Sequence, residues 1–94
     1  MATIEEINEA SDKKNGGAGK SNKYVLKSMK LHADEIAGLF EKNDEHWKDE
    51  CADMMIHCLC MFKRAGVDEL KVLDLLEKRK KRFMERIEGS PELI

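Results

Sequence analysis

The chain has 94 residues, of which 41% are hydrophobic and 38% are charged, and its formal net charge is −2. This length provides one small domain, and the composition is typical of a soluble helical protein rather than a disordered one. No apolar run reaches the roughly eighteen residues that a membrane span requires, and the N-terminus lacks the apolar core of a signal peptide. We therefore expect a cytoplasmic protein without a membrane partner. Because the chain is slightly acidic and has few aromatic residues, we do not expect it to bind nucleic acid.

The first 22 residues differ in composition from the rest of the chain. Thr3 and Glu6 form a capping-box pattern that allows a short helix, and the glycine- and lysine-rich segment SDKKNGGAGKSN follows. That segment contains GAGKS, but Lys14 stands where a phosphate-binding loop has glycine, and no apolar strand precedes it. We predict a flexible N-terminal arm over residues 1–22.

Apolar residues recur at helical spacing through the remainder of the chain. The pattern predicts three helices at about 23–42, 45–65 and 68–88, and a C-terminal tail over 89–94. Asp44 is expected to cap the second helix, while Gly66 and Asp68 form the turn into the third. The predicted fold class is all-α, with an antiparallel three-helix unit over residues 23–88. Its core is expected to include Trp47, Met55, Cys58, Leu73 and Phe83.

The segment from Met54 to Phe62 is apolar on nearly all sides of its helix. One chain of this size has too little core to enclose such a segment. We therefore expect a homo-oligomer, either a two-fold dimer or a tetramer, that completes the helical bundle.

Three cysteines lie in the segment KDECADMMIHCLC, residues 48–60. An odd number in so short a window does not form a disulfide framework, and it favours a reducing compartment. Cys51 and Cys58 are two helical turns apart, and Cys60 points away from Cys58, so no pair can chelate one ion. We expect the three thiols to act as small hydrophobic side chains.

Two helices each carry a group of metal-binding residue types on one face. Glu50, Asp53 and His57 follow an i, i+3, i+7 spacing, and His32 and Glu35 are three residues apart on the preceding helix. Antiparallel helices can bring such groups to one ion, as bundle metal sites do. The alternative is that these residues form a solvent-exposed helix face and pair with basic side chains. Spacing alone leaves both interpretations open.

Three short segments resemble the MazG-like all-α nucleoside triphosphate pyrophosphohydrolases, and the likeness covers residues 24–85. The segment ECAD supplies the E-x-x-D motif of that family, AGVDEL supplies its Gly-(Ile/Val)-Asp turn, and EKRKKRF supplies its basic-aromatic ending. The matched residues are Glu50, Asp53, Gly66, Val67, Asp68, Lys78, Arg82 and Phe83.

This sequence also departs from the family pattern. Glu35 matches the last glutamate of the E-E-x-x-E motif, whereas Leu31 and His32 stand where its first two glutamates are expected. Arg79 replaces the usual asparagine, and His57 stands where a tyrosine is frequent.

The resemblance implies cleavage of a (d)NTP to a (d)NMP and pyrophosphate, with Mg²⁺ or Mn²⁺ as cofactor. It implies metal ligation by His32, Glu35, Glu50 and Asp53, with Glu35 and Glu50 as the catalytic carboxylates. Lys78 and Arg82 would bind the substrate phosphates, and His57 and Arg79 are further candidates for substrate contact. The alternatives are a catalytically degenerate bundle, acting as a nucleotide-binding or protein-interaction module, and a carboxylate–histidine redox site.

Overall fold

A computed structural model describes residues 2–89, and within that range the chain forms four helices and no strands. The helices are α1 (Ile4–Asn15), α2 (Ala18–Glu41), α3 (Trp47–Arg64) and α4 (Glu69–Gly89). The predicted all-α fold class is confirmed. The predicted tail beyond Gly89 lies outside the described residues. Within residues 2–89, no helix is both long enough and apolar enough to cross a membrane.

The two central helices, α2 and α3, form an antiparallel hairpin. At one end, the rings of Phe40 and Trp47 meet edge to face at 5.5 Å between centroids. At the other end, Arg64 donates a hydrogen bond of 3.1 Å to Asn22. The carboxylate of Asp44 accepts from the backbone N–H of His46, so it caps the connecting turn rather than the helix itself. This explains why α3 begins at Trp47, two residues later than predicted.

The N-terminal helix α1 packs against both α2 and α3. The Thr3 hydroxyl accepts from the backbone N–H of Glu6 at 3.1 Å, as the capping pattern predicted, and Gly16 ends the helix with φ 83°. Asn8 is buried and donates to the carbonyl of Cys60 at 3.2 Å. The Asp12 carboxylate pairs with Arg64 at 2.8 Å. We predicted a flexible arm here, whereas α1 is held by polar contacts, which leave no apolar periodicity in the sequence.

The last helix, α4, extends away from the three-helix unit formed by α1, α2 and α3. It begins after Gly66, which has φ 77°, and the Asp68 carboxylate accepts from the backbone N–H of Lys71 at 3.0 Å, as a helix cap does. Val72 is buried near the start of α4, but every residue from Leu73 to Gly89 except Arg79 is exposed. The radius of gyration is 15.7 Å, compared with about 12 Å for a compact chain of this length.

The exposure of α4 changes the expected core. Leu73 is 57% exposed and Phe83 is 47% exposed, and Met55 on α3 is exposed as well. Trp47 and Cys58 are only partly buried. A single chain therefore leaves much of the predicted core open to solvent.

Candidate metal centre

His32, Glu35 and Glu50 converge on one point between α2 and α3. His32 and Glu35 are one helical turn apart on α2, and the antiparallel crossing of α3 places Glu50 beside them. One donor atom from each residue lies within 4.8 Å of the other two. The Nδ1 atom of His32 is hydrogen-bonded to Oε2 of Glu50. His32 and Glu50 are partly buried and Glu35 is exposed, so the cluster opens to solvent on the Glu35 side.

The two glutamates of this cluster have opposite electrostatic environments. A hydrogen bond with Glu50, and the negative charge of Glu50, raise the pKa of Glu35 above its ordinary value. Hydrogen bonds with His32 and then with Glu35 lower the pKa of Glu50. Glu50 is therefore the carboxylate that is held in its charged form, and Glu35 is the one that more readily takes up a proton.

His57 and Asp53 lie beside the cluster on α3. The ring centroid of His57 is 5.4 Å from that of His32. Burial, followed by the charge of His32, lowers the pKa of His57, which favours its neutral form. Asp53 is exposed and stands outside the group of three converging donors, although its charge raises the pKa of Glu35. Of the four predicted ligands, the structure thus brings three together and places the fourth at the edge.

The three converging donors suit a divalent cation. Two carboxylates and one imidazole form a mixed oxygen and nitrogen set, which suits Mn²⁺ or Fe²⁺ and also accommodates Mg²⁺. A six-coordinate ion held by three protein atoms keeps positions for water or phosphate oxygens. Because Glu35 is on the open side, those positions would be accessible to a ligand from solvent.

The predicted phosphate-binding residues are not at this cluster. Lys78, Arg79 and Arg82 all lie on α4, and no hydrogen bond or ion pair joins α4 to α2 or α3 within residues 2–89. In one chain, the cations and the acidic cluster are therefore on separate parts of the molecule.

The cysteines take no part in the cluster. Cys51 and Cys58 are partly buried, Cys60 is buried, and none of them forms a disulfide. Burial raises the pKa of the Cys60 thiol, which disfavours the reactive thiolate. Their environment agrees with the expected role as small hydrophobic side chains.

A pocket of about 220 Å³ lies next to the cluster, between α1, α2 and α3. His57 lines this pocket and also neighbours His32, so it stands between the pocket and the cluster. The α1 residues Ile7, Asn8 and Ser11 form one wall of the pocket. These residues were not among the predicted site residues, because they belong to the segment that we predicted to be a flexible arm. Their i, i+1, i+4 spacing, which places them on one side of a helix, is the signal that could have identified them.

No family model matches the chain, and neither a curated protein nor a solved structure matches it. The functional proposal therefore depends on the residues and the geometry of this chain.

Proposed function

We propose that this protein is a metal-dependent nucleoside triphosphate pyrophosphohydrolase, which cleaves a (d)NTP to a (d)NMP and pyrophosphate. The observation that carries the proposal is the convergence of His32, Glu35 and Glu50 from two antiparallel helices. The resemblance of ECAD, AGVDEL and EKRKKRF to the MazG-like enzymes supports the same activity. Mg²⁺ or Mn²⁺ is the proposed cofactor.

The chemistry requires water to attack phosphorus while the bond from that phosphorus to the bridging oxygen breaks. Glu50, held by His32 in its charged form, is a suitable fixed ligand for the cation. Glu35 faces solvent and has a raised pKa, so it can orient the attacking water and accept its proton. A divalent cation, when bound, neutralises the phosphate oxygens. Asp53 adds negative charge at the edge of the site and is proposed as a further or water-mediated ligand.

The proposed test is a pyrophosphate-release assay with a panel of ribo- and deoxyribonucleoside triphosphates, in the presence of Mg²⁺ or Mn²⁺. We expect release of one pyrophosphate per monophosphate formed, and no release in the presence of a chelator. The metal-containing buffer without protein is the control. Absence of pyrophosphate with every nucleotide and both metals would contradict the proposal.

We further propose that the protein is a homo-oligomer, as the exposed apolar face of α4 suggests. This face consists of Leu70, Leu73, Leu76, Phe83, Met84 and Ile87. A second open apolar surface lies between α2 and α3, where Leu26, Met29, Cys58, Met61, Phe62 and Ala65 line a groove of about 420 Å³. Exposed patches of this kind mark surfaces that a partner covers. Assembly would also allow Lys78 and Arg82 of one chain to approach the acidic cluster of another.

Light scattering tests this assembly. We expect a mass of two or four times the 10.8 kDa of the chain at micromolar concentration. The double variant Leu73→Lys/Phe83→Lys places charges on the exposed apolar face and is expected to dissociate the oligomer. The matched variant Asp74→Asn/Glu85→Gln changes the net charge by the same amount at exposed polar positions of the same helix and is expected to remain assembled. A wild-type monomer would exclude this proposal.

The second candidate function is a catalytically degenerate bundle that binds a nucleotide or a protein. The observation in its favour is the replacement of two expected glutamates by Leu31 and His32. It predicts nucleotide binding without pyrophosphate release, which the same assay distinguishes when it is combined with a binding measurement.

A further inference from the structure

Two apolar surfaces of the chain are uncovered, and they belong to helices that the sequence predicts to pack together. One is the groove between α2 and α3, which Cys58 and five other apolar residues line. The other is the apolar face of α4, on which each side chain is at least 47% exposed. If α4 folded back at Gly66, this face would lie against the groove, as in the expected three-helix unit. Because α4 extends away instead, each chain presents both an unpacked helix and an open groove.

The hairpin formed by α2 and α3 has an acidic end and a basic end. Since the two helices are antiparallel, the second half of α2 lies beside the first half of α3, near the contact of Phe40 with Trp47. The acidic residues of α2 and α3 at this end are Asp34, Glu35, Glu41, Asp49, Glu50 and Asp53, together with one basic residue, Lys48. The opposite end of the two helices carries Lys20, Lys23, Lys27, Lys30, Lys63 and Arg64.

Helix α4 is also divided by charge along its length. Its first half contains the acidic residues Glu69, Asp74 and Glu77, with Lys71. Its second half contains Lys78, Arg79, Lys80, Lys81, Arg82 and Arg86, with Glu85 and Glu88. An α4 helix laid in the groove antiparallel to α3 places its acidic half at the basic end of the hairpin and its basic half at the acidic end. The reverse direction brings like charges together, which is unfavourable.

We infer that α4 of a second copy occupies the groove, antiparallel to α3, and that two copies exchange their α4 helices. One reciprocal exchange covers both apolar surfaces of both chains, whereas packing α4 against α4, or groove against groove, leaves the other surface open. Exchange of an identical element between copies is a low-cost route to a dimer.

The exchange has a consequence for the candidate metal centre. In the inferred direction, the basic half of the second copy's α4 lies at the end of the hairpin that carries His32, Glu35 and Glu50. This interface specifies how the proposed homo-oligomer forms and therefore rests on that proposal. Its measurement does not require pyrophosphate release.

Native cysteines of α3 allow the direction of the exchanged helix to be measured. Cys51 and Cys58 are seven residues apart and share one side of α3, and Cys58 lines the groove. Leu76 and Phe83 are also seven residues apart, on the apolar face of α4. A helix that is antiparallel to α3, in the register of a fold-back centred on Val67, pairs Leu76 with Cys58 and Phe83 with Cys51.

The test is disulfide cross-linking of the single variants Leu76→Cys and Phe83→Cys under mild oxidation by glutathione disulfide. In non-reducing electrophoresis we expect each variant to shift from the mass of one chain, 10.8 kDa, to that of two. Mass spectrometry of proteolytic fragments should show the new cysteine of Leu76→Cys linked to Cys58 and that of Phe83→Cys linked to Cys51. Such links require Cα atoms within about 7 Å of each other.

The matched control is Lys78→Cys, since Lys78 is exposed on the same helix but lies on the opposite side from Leu76. We expect this variant to keep the mass of one chain. Cross-linking of Lys78→Cys to the same extent as the other variants would indicate random collision and would overturn the inference.

Three further results would also overturn the exchange. The opposite pairing, with Leu76→Cys linked to Cys51 and Phe83→Cys linked to Cys58, would show the reverse direction. Disulfides within one chain would show that α4 folds back into its own groove. An oligomer in light scattering without either cross-link would place the contact on other surfaces and leave the proposed assembly and activity intact. The expected cross-links without pyrophosphate release would support the exchange and contradict only the proposed activity.

Discussion

Replacement of Glu50 by glutamine is expected to abolish both pyrophosphate release and Mn²⁺ binding, while the four helices remain folded. Glu50 interacts with both other members of the cluster, since it is hydrogen-bonded to His32 and its negative charge raises the pKa of Glu35. Glutamine keeps the shape of the side chain but removes the charge that the cation requires. Loss of a residue that merely orients a metal ligand commonly costs about 10- to 100-fold in metal affinity or activity. For a direct ligand we therefore expect at least the upper end of that range.

The matched control for this substitution is Asp49→Asn. Asp49 is an exposed acid on the same helix, outside the converging group, and its substitution changes the net charge by the same amount. We expect Asp49→Asn to keep its Mn²⁺ affinity and its activity. Calorimetric titration with Mn²⁺ and the pyrophosphate assay provide the two measurements. If Glu50→Gln bound metal and released pyrophosphate like the wild type, the acidic residues would be only a solvent-exposed helix face. The second candidate function, a bundle that binds a nucleotide or a protein without catalysis, would then be favoured.

The apolar periodicity of the sequence predicted the presence of α2, α3 and α4, but α2 begins at Ala18, five residues earlier than predicted and inside the segment that was expected to be a flexible linker. The residue types themselves located the turn at Gly66 and the cap at Asp68, because a turn and a helix cap both depend on local backbone chemistry. Apolar periodicity did not predict how α1 packs, because Asn8 and Asp12 hold that helix through a hydrogen bond and an ion pair. Polar contacts between distant parts of a chain have no periodic signature.

The same limit applies to the candidate site. Residues that are close in the sequence could be placed on one helix face, whereas the contacts between helices could not be predicted. The spacing of His32 with Glu35 placed two candidate ligands on one face of α2, and the antiparallel turn brought Glu50 to them. Spacing could not determine that Asp53 stands at the edge, because that depends on the rotation of α3 about its own axis. Nor could spacing show that Arg82 lies on a helix without extensive contacts to α2 and α3, since the direction of α4 depends on how the whole helix packs.

Replacement of His32 by glutamate is expected to shift the metal preference from Mn²⁺ towards Mg²⁺. The imidazole of His32 is the nitrogen donor in the cluster, and nitrogen donors favour transition metals over Mg²⁺. A glutamate at this position would make all three converging donors carboxylates, the ligand type that Mg²⁺ prefers. It would also restore a glutamate that the MazG-like pattern places there.

The same substitution is expected to destabilise the protein when no metal is bound. Glutamate removes the hydrogen bond that His32 makes with Glu50 and adds a third negative charge to Glu35 and Glu50. The melting temperature should therefore fall without metal and recover when Mg²⁺ is added, because bound cation relieves the repulsion. The ratio of Mg²⁺ affinity to Mn²⁺ affinity should rise by about tenfold, which corresponds to about 1.4 kcal/mol.

Ala33→Glu is the matched control, since it adds the same carboxylate at an exposed neighbouring position of α2 outside the cluster. Thermal melts and metal titrations of the two variants separate a local effect at the cluster from a general effect of added charge. An unchanged affinity ratio in His32→Glu would mean that position 32 does not contact the cation. A metal at this site would then be held by Glu35 and Glu50 alone, and the function of His32 would be to keep Glu50 charged and correctly oriented.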